Sequence, residues 1–391
     1  MSLEWLVNPI SQERFLDEYW CKKPVHISRQ DPDYFSSIFK LADLDELLGF
    51  SHTNKNVRMA WQGHQKSQVI IEGRSKTSIC NFYDYYCEGQ TIVVQNVHLR
   101  WEAIGKIANA LSRQIGLRIG THLYATPEAS QGFGIHWDDH DIFALQLQGE
   151  KEWCLYDSGP VLPRKSTSHR EFLKQIIEDP GEPSHQVLLK AGDLLYFPRG
   201  VTHRARANKE ASLHLTFGVY SVTWEDALVR ALKLENNRNL HKPLMPGFLN
   251  QDLPVAALEE QLAPMVQRLI ENLDMEAVRS QLAIDVIQTI EPLGDGHFQQ
   301  LANTQVITPH TKVTKRSGMV AMLEKAADEV RIVFPGNCHS VRSELADCLS
   351  FVAENETFQV ADLPGGSASQ EIVKVLIGKG LLKVESAPEL V

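Results

Sequence analysis

Short runs of apolar, aromatic and β-branched residues, broken by polar turns, fill the middle of the chain. Val57-Arg58-Met59-Ala60-Trp61, Ser67-Gln68-Val69-Ile70-Ile71 and Thr91-Ile92-Val93-Val94 predict strands. Ile104, Ile107, Leu111 and Ile115 then fall at helical spacing, with Gly116 as the stop. A denser series follows: Ile119–Ala125, Ile142–Gln148, Glu152–Tyr156, Gln186–Leu189, Leu194–Phe197 and Leu213–Tyr220. Short strands at such close spacing predict a sandwich or barrel rather than a parallel α/β sheet. Residues 1–50 read as helical, with Ser11 capping the turn Gln12-Glu13-Arg14-Phe15-Leu16.

From Thr223 the period becomes that of a helix. Thr223-Trp224-Glu225-Asp226 has the form of a capping box ahead of Ala227, Leu228, Ala231 and Leu232. Leu258, Leu262, Val266, Leu269 and Leu273 after Pro254, and Val278, Leu282, Val286 and Ile290 after Asp274, predict two further helices. Their apolar stripes need cover, either by packing back onto the barrel or by pairing with the same helices of a second copy in a C2 dimer. Glu291-Pro292-Leu293-Gly294-Asp295-Gly296 reads as a linker. Beyond it come a helix over Ser340–Glu354, a strand over Thr357–Val360, a helix opening at Ser369 and a strand over Leu381–Val384. That order is a winged-helix pattern. The expected division is therefore 1–222, 223–295 and 296–391.

Composition narrows the class. With 391 residues, 43% hydrophobic and 23% charged, the chain is expected to be a globular protein of two or three domains. It has no basic start followed by an apolar core and no membrane-length apolar run, so a cytoplasmic protein without a membrane partner is expected. Six cysteines without any C-x-x-C spacing argue against a zinc ribbon or a disulfide framework. A net charge of -10 disfavours nonspecific nucleic-acid binding and suits a basic protein partner, although solubility alone also accounts for it. From Phe298 onward Lys and Arg do not outnumber Asp and Glu, so direct DNA binding by the winged-helix segment is not expected.

The candidate chemistry lies in His136-Trp137-Asp138 and in GDLLYFPRGVTH, which ends on His203. Residues i and i+2 of a strand share a face, so His136 and Asp138 are expected to face one interior, with His203 arriving just past a turn at Gly200. Two imidazoles and one carboxylate on one face of an iron leave further positions open, as in oxygenases. His140, two residues beyond Asp138, is a rival ligand or neighbour. His214 reads as a buried or pocket-lining residue, and Asp139 and Asp141 read as rim acids that attract a basic substrate.

These motifs, together with Tyr124-Ala125-Thr126-Pro127-Glu128-Ala129-Ser130-Gln131-Gly132 and Phe143 through Gln148-Gly149-Glu150-Lys151-Glu152-Trp153, resemble the JmjC ribosomal oxygenases. The resemblance runs over nearly the whole chain. It implies a mainly β fold with α elements: a double-stranded β-helix (cupin) barrel, a helical dimerisation region and a C-terminal winged helix. It also implies an Fe(II)- and 2-oxoglutarate-dependent dioxygenase that hydroxylates His or Arg of a ribosomal protein, and a homodimer. Carried over by position, His136, Asp138 and His203 would hold iron. Lys151 would pair with the distal carboxylate of 2-oxoglutarate, with Tyr124 and Thr216 beside it. Lys151 is similar to the lysine-bearing branch, whose eukaryotic members hydroxylate histidine, rather than to the branch with arginine there. An N-methyl demethylase, which would release formaldehyde, and a non-catalytic cupin acting as a protein-binding module are the alternatives.

Overall fold

The computed structural model describes residues 2–49, 56–61, 68–70, 79–163, 180–234, 243, 255–302, 307–325 and 328–385. Ser67, Ile71 and Pro254, which bound two of the expected elements, lie outside them. The chain forms two compact units, Met1–Ser221 with Glu291–Asp295, and Val222–Ile290 with Gly296–Val391.

The first unit opens with helices α1 (Leu3–Val7) and α2 (Gln12–Glu18), strand β1 (Val25–Ile27) and helix α3 (Asp43–Gly49). Ser11 caps α2, its side chain accepting the Arg14 N–H at 3.2 Å. Strands β2 (Val57–Ala60) and β3 (Gln68–Ile70), helix α4 (Ile79–Cys87), strand β4 (Thr91–Gln95) and helix α5 (Glu102–Ile115) follow. Gly116 ends α5 at φ 72°, a left-handed conformation that glycine adopts without a Cβ penalty. The remaining strands are β5 (Arg118–Thr126), β6 (Asp141–Gln148), β7 (Glu150–Tyr156), β8 (His185–Lys190), β9 (Leu194–Phe197), β10 (Thr202–Arg206) and β11 (Ser212–Tyr220).

These strands make two antiparallel sheets, one of eight strands in the order β1-β9-β6-β11-β5-β4-β2-β3 and one of three in the order β10-β7-β8. The pleat gives the large sheet two faces of different chemistry. Leu123 and Ala125 of β5, Phe143 and Leu145 of β6, and Leu213, Leu215, Phe217 and Val219 of β11 join one cluster with Leu3, Leu6 and Phe15 of the N-terminal helices. The alternate residues of β6 and β9, Ile142, Ala144, Leu195 and Phe197, pack instead against Trp153 and Leu155 of β7 and Leu189 of β8. The small sheet thus covers part of the second face, and the rest of that face carries His122, Tyr124, Thr126, His214 and Thr216.

Two expectations are corrected here. The sequence predicts a turn at Gly200 and no strand beyond it, yet Thr202–Arg206 is a full strand paired to β7, with His203 opposite Leu155. The sequence predicts a helix from Ser340, yet Asn337–Arg342 is a strand and the helix begins at Ala346. Backbone pairing with Glu329–Phe334, which residue pattern alone does not reveal, holds that segment extended.

The second unit begins with α6 (Trp224–Leu234), α7 (Val255–Glu271) and α8 (Met275–Gln288). Thr223 and Asp226 form the reciprocal box at the start of α6, and Asp274 caps α8. Helix α9 (His297–Leu301) is followed by β12 (Lys312–Lys315), β13 (Met322–Lys325), β14 (Glu329–Phe334), β15 (Asn337–Arg342), α10 (Ala346–Glu354), β16 (Thr357–Gln359), α11 (Ser367–Gly378) and β17 (Leu382–Val384). Their sheets run β16-β12-β17 and β13-β14-β15. No helix among the described residues is long and apolar enough to cross a membrane.

Phe143 is fully buried and its ring lies 5.6 Å from Phe15 and 4.9 Å from Tyr196. Phe143→Ala is expected to destabilise the first unit by about 3–5 kcal/mol, read as a lower denaturant midpoint; an unchanged midpoint would show that this aromatic cluster does not hold helices and sheet together.

Candidate metal centre

His136, Asp138 and His203 offer ligand atoms that all lie within 4.8 Å of one another, and they are the one such His, Cys, Asp or Glu group found among the described residues. The segment carrying the first two is not a regular strand, which corrects the expected i, i+2 placement. His136 makes only an isolated bridge with His203, and Asp138 lies in irregular chain. The bridge is reciprocal: the His136 N–H donates to the His203 carbonyl at 3.1 Å and the His203 N–H donates to the His136 carbonyl at 2.7 Å. The rings face each other with centroids 4.3 Å apart.

Both imidazoles are oriented in the same way. Nδ1 of His136 lies 2.9 Å from the Gly134 carbonyl and Nδ1 of His203 lies 3.0 Å from the Val201 carbonyl. A carbonyl only accepts, so each Nδ1 carries the proton and each Nε2 presents a lone pair. Nε2 of His203 is 3.7 Å from an Asp138 carboxylate oxygen. Burial, helped by the nearby His136, pushes His203 down to about 4, which keeps its imidazole neutral. Burial pushes the Asp138 carboxyl up, but the surrounding histidines, His136 and His203 first, outweigh it and hold the group below its ordinary value. Phe197 and Trp153 wall His203 at centroid distances of 4.6 and 5.9 Å.

Lys151 is an interior residue of β7 and only 3% exposed. It shares a strand face with Trp153 and Leu155. Its Nζ donates to the Thr126 hydroxyl at 2.8 Å and lies 3.4 Å from Nδ1 of His214, and burial pushes its pKa down to about 7. Between about 7 and the ordinary value of 10.5 the unfolded chain therefore holds a proton that the folded one lacks, so this group alone makes stability rise with pH across that window. The Tyr124 ring stacks on His214 at 4.5 Å. Burial raises the Tyr124 hydroxyl pKa, while contact with Thr216 works in the opposite direction. Thr216 is buried and its hydroxyl faces the His122 carbonyl at 3.4 Å.

Trp153 joins the two groups, since its ring meets His203 on one side and His214, edge-on at 5.4 Å, on the other. Neither Trp153 nor Thr126 was singled out from sequence. Extending the predicted strand back by two residues to Glu150 would have placed Trp153 beside Lys151, whereas Thr126 has no comparable signal. His140 lies outside the triad: it bonds Asp139 at 2.9 Å and stacks on Tyr220 at 4.6 Å. Its ring occupies the space over Gly218, where an added Cβ would come within 2.4 Å of Cδ2. Asp139 is partly exposed, as a rim acid would be, but Asp141 is fully buried, which corrects its expected place on the rim.

The JmjC domain family model matches residues 94–227, the span that contains every one of these side chains. The bifunctional lysine-specific demethylase and histidyl-hydroxylase NO66 of Dictyostelium discoideum is 35% identical over 356 residues, covering 85% of this chain and 67% of that protein. Human ribosomal oxygenase 1 is 31% identical over 320 residues, covering 74% of this chain and 48% of that protein. Among the first of these relatives, the chain spans between 48% and 67% of their length. The structure of YcfD, a ribosomal oxygenase from Escherichia coli in complex with cobalt and 2-oxoglutarate, superposes with a TM-score of 0.55 at 17% identity, covering 97% of this chain and 99% of that one. The two-sheet fold is accordingly of the JmjC/cupin type. The chain belongs to the JmjC-domain family that includes NO66 and the ribosomal oxygenases.

Proposed function

We propose that this protein is an Fe(II)- and 2-oxoglutarate-dependent dioxygenase that hydroxylates His or Arg of a ribosomal protein, with the metal held by His136, Asp138 and His203. The observation that carries this reading is the matched orientation of the two imidazoles, which directs both Nε2 lone pairs toward the carboxylate. The donor set fits a first-row divalent cation of oxygenase type, whereas a structural zinc site would be closed by a fourth Cys or His, and none joins the group among the described residues. Bound Fe(II) supplies the oxygen chemistry: 2-oxoglutarate and O2 become succinate and CO2 while one oxygen atom enters a substrate C–H bond.

The chain's own residues bind, orient and exclude water. Lys151, once protonated, pairs with the distal carboxylate of 2-oxoglutarate, and Tyr124 and Thr216 add hydroxyls beside it; charge-assisted hydrogen bonds are the strong kind. Trp153 spans the distance between the lysine and the metal ligands and keeps that wall dry. The acidic balance of the chain and the partly exposed Asp139 favour a basic partner, which suits a ribosomal protein met in the cytoplasm. Exposed Trp224, Leu228 and Leu232 on α6 and Leu262, Val266 and Ile270 on α7 form stripes at helical spacing that support a homodimer. The segment from α10 to β17 follows winged-helix order, and its charge balance supports a contact role rather than DNA binding.

Mass spectrometry of ribosomal proteins from cells with and without the gene is expected to find a His or Arg carrying one extra oxygen atom only when the gene is present. Asp138→Ala is expected to remove both this mark and succinate formation while leaving the fold intact; retained turnover would refute the triad assignment. Formaldehyde release from a methylated peptide without hydroxylation of ribosomal proteins would favour demethylation instead.

Lys151 also sets a pH dependence. Its pKa of about 7 in the free protein means that 2-oxoglutarate binding near pH 8 takes up a proton. Affinity for 2-oxoglutarate is expected to tighten toward about tenfold per pH unit as pH falls from 8.5 toward 7, checked by calorimetry in buffers of different ionisation enthalpy. A flat profile would count against the pairing.

In sedimentation velocity the unmodified protein is expected to run as a dimer and Leu228→Glu with Leu262→Glu as a monomer. A dimer that survives both changes would remove these stripes from the interface.

A further inference from the structure

We infer that Asp141 is a positioning residue for the candidate metal centre, clamping the chain that carries Asp138 to the turn that delivers His203. The inference rests on reading the triad as a metal site. Asp141 is fully buried at the first position of β6, on the face it shares with Phe143 and Leu145, so it points toward the N-terminal helices and cannot touch substrate.

Its carboxylate is nonetheless fully engaged. One oxygen accepts the backbone N–H of Arg199 at 2.9 Å; the other accepts the Tyr196 hydroxyl at 2.9 Å and the Cys21 thiol at 3.4 Å. All three donors are neutral, and no salt bridge joins Asp141 to a cation among the described residues. A buried carboxylate met only by neutral donors is costly to maintain, so stability alone is a poor reason for an acid at this position.

The geometry points to its use. Arg199 lies in the turn between β9 and β10, and the next N–H of that turn, from Gly200, donates to the carbonyl of Asp138 itself at 2.9 Å. Two consecutive backbone donors thus tie the turn to Asp141 and to a metal ligand three residues before it. Three residues further on, His203 forms its reciprocal bridge with His136. The turn has little freedom to adjust: Gly200 sits at φ +85°, and a Cβ there would fall 2.2 Å from the Pro160 carbonyl oxygen. On the other side, the Tyr196 ring is packed by Phe15 at 4.9 Å, Phe143 at 4.9 Å and Trp20 at 6.1 Å, which fixes its hydroxyl. The Cys21 N–H donates to that same hydroxyl at 2.8 Å. Residues 15–21 of the N-terminal segment are therefore part of the support of a site that they do not reach.

The test uses Co(II) as the probe and reads its visible d–d spectrum and dissociation constant in the full-length protein, independently of turnover. Asp141→Ala is expected to weaken Co(II) binding by roughly 10–100-fold, the range for residues that orient metal ligands, and to alter the spectrum. Asp141→Asn, which keeps an acceptor for Arg199, should recover most of the affinity, and Tyr196→Phe should shift it in the same direction by less. Asp193 is an equally buried acid of the same unit, bonded by the N–H groups of Arg29 and Lys190, and Asp193→Ala should lower thermal stability without changing Co(II) affinity. If Asp141→Ala does not fold, the Asn and Phe variants decide. Native Co(II) affinity and spectrum in every Asp141 and Tyr196 variant that folds would overturn the inference while leaving the triad standing. Absence of Co(II) binding by the unmodified protein would overturn the triad as well.

Discussion

The reciprocal backbone pair between His136 and His203 is the contact on which the candidate site depends, because it sets the two imidazoles side by side. Upstream, Gln131 bridges Arg206, and the Ala207 N–H donates to the Ser130 carbonyl. Between the bridges the chain advances five positions on one side, from Gln131 to His136, and three on the other, from Arg206 to His203. The excess is a bulge, and bulges re-aim side chains next to functional sites. Here the excess chain includes Gly134, whose carbonyl accepts from the His136 ring, so the irregularity that breaks the strand also orients the ligand.

That bulge explains why the site was legible in the sequence for a reason that was partly mistaken. His136, Asp138 and His203 follow from the spacing of two short motifs, and the structure brings them together. The argument from alternation on a single strand fails because the pairing is interrupted. His203 was readable but its strand was not: Thr202-His203-Arg204-Ala205-Arg206 has no apolar alternation, and hydrogen bonds to β7 create it. Helix limits were more legible, since Ser11, Gly116, Thr223 and Asp274 act through local bonds that their own side chains or φ angles specify. Asp141 lies at the opposite extreme. Nothing in its neighbourhood marks it as buried, because its donors come from residues 21, 196 and 199, and only the fold assembles them.

The same pleat that exposes the site also offsets its cost. One face of the large sheet presents Lys151-facing polar groups, among them Thr126, His214 and Thr216, all buried, and such groups contribute little to stability. The opposite face is mainly apolar from β9 to β4, interrupted by the buried Asp141, and packs in one cluster with the N-terminal helices. Along β11 the two alternate residue by residue, with Leu213, Leu215 and Phe217 on one side and His214 and Thr216 on the other. A single strand thus supplies core and site together, and a register slip of one residue would exchange them. The register of β11 against β5 is unbroken from Ser212 to Tyr220, which guards against that exchange.

Burial of Lys151 is the sharpest instance of this balance. An amine removed from water without a carboxylate partner is penalised in its charged form, and the polar groups bonded to it among the described residues are a hydroxyl and a neutral imidazole. His214 cannot share the proton, because burial and the adjacent lysine both push its pKa well below the ordinary value. A carboxylate brought beside Lys151 would relieve that penalty, whereas a neutral group of the same shape would not.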